Sequence, residues 1–173
     1  LADIEAFFAA HLPRGIKERL EQERDVDIGI SLGETDRFRI NLSYQRGQPG
    51  MAVRRVPSGA LNFADLLIPD AVAKLADAPR GLVLVTGATG SGKSTTMAAM
   101  LHHINSTYRK HIVTIEDPIE FFHRDRLSVV SQREVGNDTL DFARALKAVV
   151  RQNPDAILIG EMRDLETIRT AIS

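Results

Sequence analysis

The sequence predicts an α/β protein: a parallel sheet with crossover helices, preceded by a smaller α+β unit. Three observations predict it. The glycine-rich run Gly87-Ala88-Thr89-Gly90-Ser91-Gly92-Lys93-Ser94-Thr95 follows the apolar run Leu82-Val83-Leu84-Val85 and precedes Met97, Met100, Leu101 and Ile104 at helical spacing, a strand, turn and helix in succession. Downstream, short apolar runs alternate with helical patterns, the order expected of a parallel sheet. Upstream, three runs alternate apolar and polar residues, as half-buried antiparallel strands do.

The elements follow in order. Between Asp3 and Glu23 the apolar residues Ile4, Phe7, Phe8, Leu12, Ile16 and Leu20 recur at helical spacing, and Pro13 with Gly15 divides the segment into two helices. Val26 to Leu32, Arg37 to Tyr44 and the shorter Met51 to Val56 read as strands, with Gly47 to Gly50 as the turn before the third. Pro57-Ser58-Gly59 ends this unit, which spans residues 1–57. Residues 58–81 read as a linker holding a short amphipathic helix, Ile68 to Ala78, ahead of Pro79-Arg80-Gly81. The core occupies 82–173: strand Leu82 to Thr86, helix Lys93 to Thr107, strand Ile112 to Ile115, a short run Ser128 to Ser131, helix Thr139 to Val150, and a fully apolar, buried strand Ala156 to Ile159. A last helix begins near Asp164.

Composition narrows the function classes. With 43% hydrophobic residues the chain has ample material for a core, and 22 basic against 23 acidic residues give no global pull toward nucleic acid or anionic lipid. No basic, aromatic-bearing groove is visible, so a DNA translocase is disfavoured. The absence of cysteine excludes disulfides and cysteine-ligated metals, and no apolar run reaches bilayer-spanning length. The expectation is a cytoplasmic protein without membrane insertion.

The glycine-rich run completes the pattern G-x-x-x-x-G-K-[ST], a cradle for a nucleoside triphosphate. Glycines let the backbone turn tightly and aim its N–H groups at phosphate oxygens. Lys93 supplies a point charge to the β- and γ-phosphates, Ser94 offers a hydroxyl to Mg²⁺, and Thr95 lies in the first turn of a helix whose dipole favours a polyanion. A plain glycine-rich surface turn would lack the strand before and the helix after. Ligands of open parallel sheets bind at the carboxyl ends of strands, so Glu116 and Glu161 should both face the nucleotide. Hydrolysis needs a group that orients water and one that neutralises developing charge. Glu161 is the first choice for the water; Glu116, with Asp117 beside it, orders the Mg²⁺ water shell or shares the base role. The two roles are exchangeable on this reading, and the bland alternative for each is a solvated strand-end charge. Asp117 and Glu120 position the loop or are structural. His102, His103 and His111 read as core or surface residues.

The run RGLVLVTGATGSGKSTTMAAML, then HIVTIEDPIEF, then SQREVGNDTLDFARALKAVVRQNPDAILIGEMRDLETI, resembles the secretion ATPase superfamily, most closely the type IV pilus retraction motors of twitching motility (PilT- and PilU-like). In that family Thr114 to Glu120 corresponds to the aspartate box and Ile157 to Asp164 to an atypical second nucleotide motif ending in Glu rather than Asp. The upstream RFRINLSYQRGQPGMAVRRVPS also resembles the family's N-terminal domain, so the likeness runs from about Asp27 to the last residue. It implies a RecA-like P-loop NTPase core after a small PAS-like α+β domain, ATP and Mg²⁺ as cofactors, a hexameric ring, and partners at the pilus base and inner-membrane platform. It also implies that arginines of the N-terminal domain, here Arg39, Arg46 and Arg54, reach the phosphates; without the likeness they read as exposed charges on a sheet. Arg37 and Arg55 read as solvated.

The family's core continues past the glutamate strand into a histidine segment and a helical region, which the run ending Ala171-Ile172-Ser173 does not reach; Leu1 likewise begins in mid-domain. The expectation is a core incomplete at its C-terminus in a chain truncated at both ends. Two alternatives stand beside a retraction motor: a truncated, non-catalytic nucleotide-binding module, and a related type II secretion or pilus-assembly ATPase.

Overall fold

A computed structural model describes residues 6, 10, 15–32, 36–56 and 61–172. The chain divides into two compact units, Leu1–Pro57 and Ser58–Ser173.

In the first unit, helix α1 (Ile16–Glu23) is followed by strands β1 (Asp25–Leu32), β2 (Asp36–Gln45) and β3 (Gln48–Val56), an antiparallel meander in the order β1-β2-β3. Alternation decides which face is covered. Val26, Ile28, Ile40 and Leu42 are buried with Ile16 and Leu20 of α1, and Ile30, Phe38, Tyr44 and Met51 pack around them. The expected turn at Gly47 to Gly50 is corrected: Arg46 and Gly47 alone make it, with Gln45 paired to Gln48. Both turn residues have positive φ (52° and 76°), the twist that a two-residue hairpin turn requires, and Gln48 to Gly50 therefore join β3. Ala6 and Ala10 are helical. The rest of the expected first helix, and Pro57-Ser58-Gly59, lie outside the described residues.

The second unit contains α2 (Asp70–Ala76), α3 (Lys93–Thr107), β4 (His111–Glu116), β5 (Val129–Glu134), α4 (Phe142–Val149) running into a 3₁₀ turn (Val150–Gln152), β6 (Ala156–Ile159) and α5 (Leu165–Ile172). The sheet is parallel with β4 central, in the order β5-β4-β6. Its two faces carry different covers. Val113 and Ile115 pack with Ala145, Leu146 and Val149 of α4, whereas Ile112, Val130, Ala156 and Leu158 pack with Leu101 and Ile104 of α3 and Ala76 of α2. Asp141 caps α4 by accepting from the Arg144 amide at 2.7 Å, and Asp164 caps α5 by accepting from the Thr167 amide at 2.7 Å. The fold class is thus α/β, a parallel sheet with helices on both faces behind a separate antiparallel unit.

Two expectations for strands are corrected. Leu82 to Thr86 is not a strand: no strand among the described residues pairs with it, and Leu82, Val83 and Leu84 are exposed. A strand exists only where neighbouring backbone accepts and donates its hydrogen bonds, and an apolar run cannot supply that by itself. Ala156 to Ile159 is a strand but not a fully buried one, since Ile157 is 37% exposed. Its pairing is with β4 alone among the described strands.

Candidate functional site

The glycine-rich loop has the conformation that its composition predicts. Gly87, Gly90 and Gly92 hold φ of 154°, 80° and 91°, which side chains with a Cβ rarely adopt. At Gly87 an added Cβ would lie 2.6 Å from Ser91 Oγ, so the Ser91 hydroxyl would have to turn away. At Gly90 and Gly92 an added Cβ would meet nothing within 4 Å, so these positions border open space. Lys93 Nζ donates to the carbonyls of Gly87 (3.0 Å) and Ala88 (2.9 Å), closing the loop on itself.

Helix α3 begins at this loop without a side-chain cap. Gly92 offers no side-chain cap, the first turn holds no acid, and the first helical bond is Thr96 N–H to the Gly92 carbonyl at 2.8 Å. The amides of Lys93, Ser94 and Thr95 thus lack helical acceptors and suit an anion. The residues fit a triphosphate cradle. Among the described residues no group of three or more His, Asp or Glu gathers to hold a metal ion. A divalent cation beside Ser94 would draw on phosphate oxygens and water, as Mg²⁺ does at nucleotide sites.

Element lengths relate this terminus to the end of β4 that bears Glu116. Helix α3 returns to β4 through only Tyr108 to Lys110, and 15 helical residues span about 22 Å while six strand residues span about 20 Å. The start of α3 and the end of β4 therefore lie at the same edge of the unit. Glu116 shares its sheet face with Thr114 and Ile112, the face that α3 covers.

Glu116 is held by Thr114 Oγ1, which donates to its Oε1 at 2.6 Å, by Gln132 Nε2 at 3.1 Å, and by the backbone amide of Glu120. Burial pushes its carboxyl above the ordinary value; these donors, which favour the charged form, pull the other way, and the Glu120 charge pushes it up again. Such a carboxyl sits where a proton acceptor is useful.

Glu161 follows β6 through Gly160, whose amide donates to the Ile115 carbonyl at 2.8 Å. The expected neighbours Glu116 and Glu161 thus emerge at the carboxyl ends of adjacent, in-register parallel strands. Glu161 Oε2 is paired with Arg163 Nη2 at 2.8 Å, a contact that the sequence reading did not anticipate. The i, i+2 spacing in GEMRD was its only signal.

The arginines of the first unit do not form one cluster. Arg39 and Arg54 are register partners on neighbouring strands, whereas Arg46 sits in the hairpin turn, seven residues along β2 from Arg39, or about 23 Å. Arg39 is paired with Asp27 at 3.3 Å, and Arg46 and Arg54 are exposed. The histidines occupy structural positions. His103 Nε2 lies 2.7 Å from Asp77 Oδ1, which also accepts from the Tyr108 hydroxyl at 2.9 Å, and His111 lies between the Gln152 carbonyl and Ser131. Burial lowers the affinity of His102 for a proton.

Two site residues escaped the sequence reading altogether, Gln132 and Glu134 of β5. Both touch the loop after Glu116, and only tertiary structure brings that strand to it.

The chain is similar to known proteins along most of its length. The chain is 48% identical over 157 residues to the type IV pilus retractation ATPase PilT of Pseudomonas aeruginosa, covering 91% of this chain and 46% of that protein. It is 48% identical over 153 residues to a twitching motility protein of Neisseria gonorrhoeae, covering 88% of this chain and 41% of that one. The crystal structure of the pilus retraction motor PilT with bound ADP superposes with a TM-score of 0.92 at 46% identity, covering 98% of this chain and 49% of that one. The chain therefore spans about half the length of these relatives. Residues 17–173 match the type II/IV secretion system protein family, and the chain belongs to that family.

Proposed function

We propose that the chain binds Mg²⁺-ATP at Gly87 to Thr95 and hydrolyses it as part of a motor subunit that powers pilus retraction. One relationship supports the reading: the glycine-rich loop and the uncapped start of α3 belong to the same unit as the half-buried carboxyl of Glu116 and the strand-end Glu161, which follow adjacent parallel strands. Lys93 exchanges its two loop carbonyls for β- and γ-phosphate oxygens, and Ser94 contacts the cation. The cation screens phosphate charge when bound. Glu161 orients the attacking water and Glu116 accepts a proton or orders the cation's water shell. Arg39, Arg46 and Arg54 are the candidate arginines for neutralising phosphate charge; within their own unit Arg39 and Arg54 are register partners and Arg46 stands apart in the turn.

The names of the relatives supply the biological frame of the proposal. PilT of Pseudomonas aeruginosa is a pilus retractation ATPase, and the solved structure holds ADP. On that footing the chain acts in a hexameric ring on the cytoplasmic side of the inner membrane, at the pilus base. Among the described residues no helix is long and apolar enough to cross a membrane.

A second reading, nucleotide binding without turnover, is favoured by one contact: the Glu161 carboxylate is engaged by Arg163. Phosphate release by the purified chain, beside Lys93→Ala and Glu161→Gln, separates the two. Hydrolysis predicts turnover that both substitutions abolish, with Glu161→Gln still binding nucleotide. Binding of ATP with no release of phosphate supports the second reading.

A further inference from the structure

The loop from Asp117 to His123 is fastened at alternate residues by side chains of β5, in place of a backbone ladder. Ile119 N–H donates to Glu134 Oε2 at 3.0 Å. The Phe121 carbonyl accepts from Gln132 Nε2 at 2.9 Å, and His123 N–H donates to Gln132 Oε1 at 2.8 Å. The same Gln132 amide nitrogen reaches Glu116 Oε1 at 3.1 Å.

Glu134 is itself fixed. It is 4% exposed, accepts from Asn137 Nδ2, and its backbone amide donates to Asp138 Oδ2 at 2.8 Å. Gln132 stands in register with Thr114 and Glu134 with Glu116, so both project on the sheet face that bears Glu116. Breaking either contact leaves a half-buried backbone group without its partner, which is costly. The loop and the Glu116 carboxylate are therefore held as one body.

We propose that Gln132 and Glu134 are positioning residues that act through Glu116, fixing its carboxylate and the Asp117 to His123 loop at the nucleotide edge of the sheet. The proposal rests on the hydrolytic reading above.

The 173-residue chain is assayed for phosphate release, binding of a fluorescent ADP analogue and amide hydrogen exchange. Gln132→Met, which keeps the length and removes both polar atoms, is expected to lower kcat by ~10- to 100-fold with ADP affinity unchanged, the size of loss that misplacement of a catalytic group produces. Glu134→Gln retains an acceptor for Ile119 N–H and keeps most activity; Glu134→Leu does not. In a Glu116→Gln background, Gln132→Met is expected to cause no further loss. The acid limb of kcat should also move to higher pH in Gln132→Met, because a donor that favours the charged carboxylate is gone. The charged groups shown beside that position, Glu120 in the loop and Glu134 in register on β5, are unaltered in that variant.

Exchange tests the fastening independently of catalysis. In Gln132→Met the His123 amide, and in Glu134→Leu the Ile119 amide, should exchange faster while α4 amides do not change. Unchanged exchange overturns the proposal whether or not the chain hydrolyses ATP. Parental turnover in Gln132→Met, or equal losses of binding and turnover, overturns the role through Glu116. A parent chain that releases no phosphate but shows the faster exchange removes the hydrolytic reading and leaves the fastening in place.

Discussion

The backbone of Gly160 lies against Glu116: a Cβ placed on Gly160 would sit 3.3 Å from Glu116 Cα and 3.3 Å from the Ile115 carbonyl oxygen. Both are backbone atoms of a buried strand, so neither yields as a side-chain end would. This contact sets the spacing between the ends of β4 and β6, and with it the spacing of the two candidate carboxylates. Gly160→Ala is expected to lower phosphate release by roughly 10-fold or more while ADP still binds, because displacement by a fraction of an ångström disturbs the pair rather than the phosphate loop. Overpacking of this kind costs about 1–3 kcal/mol, visible as a lower Tm. Parental turnover in Gly160→Ala would contradict this role.

Gly87 makes a sharper demand. Its positive φ and the 2.6 Å approach to Ser91 Oγ mean that Gly87→Ala distorts the loop, and nucleotide binding should be lost in titration calorimetry. Adding Ser91→Ala removes the hydroxyl and leaves only backbone strain, so the double variant should regain part of the affinity. No recovery would show that the hydroxyl contact is irrelevant.

Glu116 trades stability for chemistry. Burial raises its carboxyl above the ordinary 4.5, so the unfolded chain loses that proton at lower pH than the folded one. Stability linked to this group is full below the ordinary value and falls as pH rises through the raised one. Glu116→Gln is therefore expected to unfold at a higher temperature than the parent at neutral pH and to lose that advantage in acid, while turnover collapses. Thermal melts of both proteins from pH 4 to 8 give the comparison; a variant less stable at pH 7 would oppose it.

His123 runs in the opposite direction. Burial, and secondarily the nearby charge of His102, push it from 6.5 down to about 4, so it is neutral in the fold and protonates more readily when unfolded. Its contribution is present above pH 6.5 and is lost as pH falls through about 4. In His123→Gln the fall in Tm between those values should be shallower than in the parent, and identical slopes would refute the assignment.

Much of the fold was legible because local physics fixed it. Helix α3 was read to its observed ends, Lys93 and Thr107, since Gly92 must precede it and the run Tyr108-Arg109-Lys110 lacks a helical apolar stripe. Strands β1, β2 and β4 were located to within one residue because alternation, or a short run of Ile and Val, leaves few other choices. Leu82 to Thr86 failed for the complementary reason. Its residues have strand character, yet strand formation is a property of two segments and no described neighbour pairs with this one.

By itself the sequence determined the glycine-rich loop and the helix that starts at it, because glycine conformation and helix spacing are properties of nearby residues. Tertiary structure alone decided which carboxylates share an edge and what holds them. Gln132 of β5 and Gly160 beyond β6 reach Glu116 across long stretches of chain, and Arg39 and Arg54 meet as partners on neighbouring strands while Arg46 stands apart in the turn. Such contacts follow from strand order and register, which depend on the packing of the whole unit. The glycine-rich loop is where we propose that phosphate binds; the sheet behind α3 decides which groups stand at the strand ends.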